Sequence, residues 1–130
     1  MKAHLRVARD TDQLEVIASL YERGLDFERL GAFEDHEGFD GVLLGSPGAE
    51  YHLEFIHRRG HTAPKSNSEE QLLVFYVPDP AEYDERLERL AAAGFERVPA
   101  TNPYWDRDGA SFRDPDGFRV VIARRAWPPR

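Results

Sequence analysis

The chain contains no cysteine. That absence excludes disulfides, thiolate nucleophiles and zinc–thiolate centres, so a metal would have to be held by His, Asp or Glu. Missing too is any stretch approaching the roughly 18 consecutive apolar residues of a membrane helix, and Met1-Lys2-Ala3-His4-Leu5-Arg6 lacks a signal peptide's apolar region. A cytoplasmic protein with no membrane partner is expected. There is no surplus of positive charge either: the net charge is −7, whereas nucleic-acid binding draws its affinity from excess Lys and Arg. Arg58-Arg59 and Arg124-Arg125 therefore read as solvated charge beside strand ends, and no nucleic-acid partner is expected. Glycine-rich phosphate loops, nucleophile elbows and Ser-His-Asp order are all absent.

What remains is a chain of 130 residues with 41% hydrophobic content, enough for one core and too small for two ordinary domains. Leu5 and Val7 alternate with polar neighbours as a short strand does. The polar turn Arg9-Asp10-Thr11-Asp12 then offers a helix cap. Leu14, Ile17, Ala18 and Tyr21 share one helical face, with Gly24 placed to end the helix. Extended pieces follow around Leu30 to Phe33, Gly41 to Leu44 and Tyr51 to His57. After the polar segment from Gly60 to Ser68 the same order recurs. Leu72 to Val77 is a strand; Asp79 caps a helix with Pro80 in its first turn and Gly94 as its stop. Glu96 to Val98, Ala110 to Arg113 and Arg119 to Ala123 are three more extended pieces. Residues 1–130 thus read as one α+β domain of two βαβββ units, about 3–58 and about 71–125, joined by a linker of about 59–70.

The last two strands flank Asp114-Pro115-Asp116-Gly117. Pro115 presets φ for a tight turn, the aspartates can accept backbone N–H groups, and Gly117 tolerates positive φ. This hairpin, the doubled βαβββ order, the helix end Leu20-Tyr21-Glu22-Arg23-Gly24-Leu25-Asp26-Phe27 and its counterpart Ala92-Ala93-Gly94-Phe95 together resemble the vicinal oxygen chelate superfamily. That group includes glyoxalase I, bleomycin-resistance proteins and extradiol dioxygenases. The resemblance covers nearly the whole chain and implies a cupped mixed sheet with helices on its outer face, and commonly a homodimer.

Strand parity sorts the residues, because neighbours along a strand point to opposite faces. Leu5 and Val7, Leu53 and Phe55, Leu73, Phe75 and Val77, and Phe118, Val120 and Ile122 are expected to face the helices. Left for the cup are His4 and Arg6, His52, Glu54 and Ile56, Leu72, Val74 and Tyr76, and Arg119, Val121 and Ala123. The resemblance implies four metal ligands, typically His, Glu, His and Glu. Glu54 matches the first glutamate, whereas the second histidine falls at Leu72 and the last glutamate at Val121. The first histidine falls in the segment holding His4 and Arg6. Neither Leu nor Val can donate an electron pair.

Two functional readings follow. The first is a metal-free member of the group, with no cofactor, that binds a small organic molecule through Arg6, His52, Glu54 and Arg119, with apolar contact from Tyr76, Tyr104 and Trp105. A carboxylate beside guanidinium groups is then ion-paired, Glu54 with Arg6 and with Arg119 as a further candidate. The alternative is a metal-dependent lyase, isomerase or dioxygenase with a reduced site, in which His4, His52 and Glu54 hold a divalent metal and Glu54 is the catalytic group. In Asn102-Pro103-Tyr104-Trp105-Asp106-Arg107-Asp108-Gly109, aromatic and polar groups either cover a pocket or dock on the sheet. Glu34-Asp35-His36-Glu37 and Gly38-Phe39-Asp40-Gly41 read as a solvent-facing turn, and His57 and His61 as exposed.

Overall fold

The computed structural model describes residues 1–129, which fall into two compact units meeting between Pro64 and Lys65. The first runs β1 (Leu5–Asp10), α1 (Leu14–Leu25), β2 (Glu28–His36), β3 (Phe39–Gly45) and β4 (Tyr51–Arg58). The second runs β5 (Leu72–Tyr76), α2 (Pro80–Ala93), β6 (Glu96–Val98), a 3-10 turn (Pro103–Asp106), β7 (Gly109–Arg113) and β8 (Arg119–Ala123). Each unit is a βαβββ module with one four-stranded sheet, ordered β1-β4-β3-β2 and β5-β8-β7-β6. The two orders are the same. In each, the first strand pairs in parallel with the last and the other pairings are antiparallel, as a helical crossover followed by a meander requires.

In the first unit, Ile17, Ala18 and Tyr21 are fully buried on α1, and Leu44, Leu53 and Phe55 are buried on β3 and β4. The Tyr21 and Phe55 rings meet at 4.7 Å, so Phe55 and its face-mate Leu53 look toward the helix. Glu54, between them, points the other way. In the second unit α2 buries only Tyr83 and Leu90. Its start is well made: Asp79 accepts the Glu82 N–H at 2.9 Å, Pro80 sits in the first turn, and Gly94 closes the helix at φ 118°.

Three local expectations are corrected. The segment Arg9-Asp10 is the end of β1 and not a turn, because β1 stays paired with β4 as far as Asp10 and Ile56. The residue preceding α1 is then Gln13, whose side chain makes no capping bond; its own N–H is taken by the Thr11 hydroxyl at 3.1 Å. Gly24 is a buried residue inside α1, and the helix closes two residues later on Asp26, which adopts φ 57° and donates its N–H to the Glu22 carbonyl. Aspartate visits this left-handed region more readily than most residues. Finally, Leu5 is 59% exposed and does not pack on α1, since β1 is the sheet's edge strand.

The Asp114–Gly117 turn forms as its residues dictate. The Asp114 carboxylate accepts the N–H groups of Asp116 at 2.8 Å and Phe118 at 3.1 Å, and Gly117 takes φ 90°. Behind it the linker lies against the turn, with the Ser66 N–H donating to the Asp116 carbonyl at 2.8 Å.

Candidate functional site

In the first unit, the register of β1 on β4 sets Arg6 beside His52 and Ala8 beside Glu54. Arg6 spans both. Its Nε donates to His52 Nε2 at 2.9 Å and its Nη1 reaches Glu54 Oε2 at 3.3 Å. His52 Nδ1 lies 2.6 Å from His4 Nε2. The direction of this chain follows from the fact that arginine cannot accept a hydrogen bond. His52 Nε2 must therefore be the unprotonated nitrogen, so Nδ1 carries the proton and donates to His4 Nε2, which leaves the His4 proton on Nδ1. The result is a continuous series, Glu54–Arg6–His52–His4, with both imidazoles neutral.

That arrangement resists protonation of His52. Desolvation, followed by the positive charge of Arg6 and by the repulsion that a second imidazolium beside His4 would meet, holds its pKa below the ordinary histidine value, with Glu54 opposing weakly. Because the unfolded chain then takes up the proton first, the stabilising contribution is present above the unfolded value of about 6.5 and is lost as pH falls below it. Thermal unfolding followed from pH 7.5 to 5 should show a steeper loss of Tm for the wild type than for His52→Gln. Parallel curves would contradict the assignment.

The second unit holds a cavity of about 370 Å3, lined among others by Leu72, Val74, Asn102, Trp105, Ser111 and Arg119. Cross-strand register explains the set: Leu72 lies beside Arg119, and Val74 and Ser111 both lie beside Val121, so these residues share a face. Arg119 is 5% exposed. Its Nη1 donates to the Pro99 carbonyl and its Nη2 to Glu69 Oε1, both at 3.2 Å. Trp105 comes from the 3-10 turn, whose start is capped by Asn102 Oδ1 accepting the Tyr104 N–H at 3.0 Å.

The residues singled out from sequence thus fall into separate groups. Arg6, His52, Glu54 and His4 come together, and Arg119 shares a cavity with Trp105 while making its polar contacts within its own unit. Tyr104 is exposed, with Arg125 stacked over its ring at 4.5 Å and hydrogen bonded to its hydroxyl. Tyr76, expected to face inward, is also on the surface, its ring 5.6 Å from that of Trp127. His57, expected to be exposed, is half-buried and bonded to the Thr11 carbonyl at 3.1 Å. Asp40 lies at the start of β3 and not in the turn, which is Glu37-Gly38 alone; it is held by Arg59 at 2.8 Å and accepts the Asp35 N–H, so it braces the β2–β3 hairpin. Glu69 and Ser111 were not legible as site residues: the first sits in a polar linker, and the second is marked only by its parity with Val121.

The donor set does not fit a divalent metal. Leu72 and Val121 offer no electron pair, and the one carboxylate among the four positions, Glu54, is already engaged by a guanidinium. Two imidazole nitrogens on one tetrahedral ion, each at about 2.0–2.1 Å, would stand about 3.4 Å apart. Those of His4 and His52 are at 2.6 Å, in hydrogen-bond contact. Among the described residues no group of three His, Asp or Glu side chains is placed to hold a metal ion.

Similar proteins agree with the doubled module. A family model for the YycE-like N-terminal domain matches residues 5–56, and one for the YycE-like C-terminal domain matches residues 70–124. The uncharacterised protein YycE of Bacillus subtilis is 45% identical over 121 residues, covering 92% of this chain and 86% of that protein. A solved structure of a YycE protein of unknown function from Bacillus subtilis superposes with a TM-score of 0.88 at 43% identity, over 96% of this chain and 91% of the other. The fold extends further. The fosfomycin resistance protein FosX of Mesorhizobium loti aligns at a TM-score of 0.70 and 15% identity, over 96% of this chain and 91% of that one. Trypanothione-dependent glyoxalase I of Leishmania major aligns at 0.72 and 19%, over 95% and 86%. With both halves matched in order, the chain belongs to the YycE-like family, built on the vicinal oxygen chelate fold of the glyoxalases.

Proposed function

We propose that this protein binds a small organic molecule without a metal, in the cavity of its second unit. The observation that carries the reading is Arg119: a guanidinium that is 5% exposed, on the wall of an about 370 Å3 cavity whose other walls include Leu72, Val74 and Trp105. A buried charged group set beside an indole and two aliphatic side chains, with further polar side chains around it, gives a hollow of this volume both the contact area and the orienting groups of a ligand site. Leu72, which the family resemblance places where a ligating histidine would stand, lines that hollow and contributes contact in place of coordination. Arg6, His52 and Glu54 make a second polar group, in which Glu54 fixes the guanidinium of Arg6.

Thermal unfolding in EDTA against a panel of neutral, anionic and cationic single-ring aromatic compounds tests this. A ligand at about one hundred times its Kd contributes about 2.7 kcal/mol, which is several degrees in Tm for a chain of this size. At least one compound should give such a shift, and Trp105→Ala should abolish it. Shifts that appear only after adding a divalent metal would overturn the metal-free reading, and a panel with no shift would overturn binding in this cavity. The protein is further proposed to act in the cytoplasm as a homodimer. No helix among the described residues is long and apolar enough to cross a membrane, and Leu5 lies exposed on an edge strand that could pair with a second copy.

A further inference from the structure

Resting on the binding role proposed above, the charges around the cavity narrow the ligand class. Arginine presents five N–H donors. Arg119 uses two, one to the Pro99 carbonyl and one to Glu69; the latter, at 3.2 Å, is longer than the 2.7–2.9 Å usual when both partners are charged, and only one oxygen of Glu69 is engaged. A guanidinium this buried gains from a planar two-oxygen acceptor. A simple anion would nonetheless meet two carboxylates, because Glu69 and Glu70 line the same cavity from its exposed side. A simple cation could pair with Glu70, which no ion pair engages among the described residues, but would leave the remaining Arg119 donors without acceptors.

One ligand chemistry answers both demands. We propose that the cavity takes a zwitterionic aminocarboxylate with an apolar or aromatic side chain, such as a free α-amino acid or a small peptide. The carboxylate docks on Arg119, displacing Glu69. The ammonium group is then received by Glu69, whose side chain is 60% exposed and so free to swing, together with Glu70. The side chain packs between Trp105 and the Leu72–Val74 wall.

The test is calorimetry on the intact protein with three probes of one shape: L-phenylalanine, 3-phenylpropionate, which lacks the ammonium, and phenethylamine, which lacks the carboxylate. L-Phenylalanine should bind at least about tenfold more tightly than either, since each deletion removes a charged hydrogen bond. Glu69→Gln, at an exposed position, should reduce the preference over 3-phenylpropionate by about tenfold. Arg119→Lys, which keeps the buried charge but not the two-donor fork, should weaken L-phenylalanine and 3-phenylpropionate together. Equal or tighter binding of 3-phenylpropionate would make this an anion site, and equal or tighter binding of phenethylamine a cation site; either overturns the aminocarboxylate class and leaves the small-molecule reading standing. Silence from all three probes overturns the class alone if another compound of the thermal panel binds, and both readings if none does.

Discussion

Alanine at Gly117 is expected to destabilise the protein by about 3 kcal/mol, lowering Tm by roughly 10 °C. Two separate costs add. A side chain at φ 90° is strained wherever it occurs, and here a Cβ would also stand 2.1 Å from the Ser66 carbonyl oxygen. That oxygen is backbone and cannot rotate aside. Relief therefore moves the linker and endangers the bond from the Ser66 N–H to the Asp116 carbonyl at 2.8 Å. Gly60 is the control: its φ of 80° is similar, but nothing lies within 4 Å of the Cβ site. Gly60→Ala should cost about 1 kcal/mol, the backbone strain alone. Equal shifts for the two variants in thermal denaturation would show that the linker does not press on the hairpin.

The second large effect lies in β7, where neighbouring buried residues should respond very unequally. Phe112 is 1% exposed, with Arg97 over its ring at 5.6 Å. Phe112→Ala should cost about 3–5 kcal/mol, as truncation of a buried aromatic does. Ser111 is also buried, yet it lies on the cavity side of the sheet and its loss removes one hydroxyl. Ser111→Ala should stay within about 1 kcal/mol. Denaturant unfolding of both variants measures the contrast, and comparable losses would refute the division of the sheet into a packed face and a cavity face.

In the first unit the corresponding division was readable from the chain, because a period of two survives wherever one face is packed and the other is not; in the second unit, apolar on both faces, it was not. Leu53 and Phe55 against His52 and Glu54 is the clear case, and the Tyr21–Phe55 contact sorts them as parity does. The doubled module was readable for a related reason: Asp79-Pro80 and Gly94 punctuate α2 with residues whose backbone chemistry has few other uses. Where tertiary placement decides, the pattern misled. Leu5 alternates correctly but lies on an edge strand, so its apolar side has no helix to meet. Gly24 looked like a stop, yet it is buried within α1, and Asp26 took the left-handed position. Glu69 joins the cavity wall only because the chain before β5 passes alongside Arg119, which nothing in a polar linker announces.

The wall that carries Trp105 is anchored by its backbone. Gly109 has room for no Cβ, since one would stand 2.5 Å from the Trp105 carbonyl oxygen, and the turn is tied at its ends by Asn102 to the Tyr104 N–H and by Asp106 to the Ala100 N–H. None of these ties involves the indole. The indole adds an edge-on contact with the Tyr104 ring at 5.0 Å, but exchange at position 105 leaves the backbone ties in place, whereas a side chain at position 109 does not fit. Under the binding role proposed above, a lineage of such proteins would alter that wall of the cavity by single substitutions at 105 with the backbone ties of the loop kept. The glycine facing the Trp105 carbonyl has no such freedom, because any side chain there meets backbone.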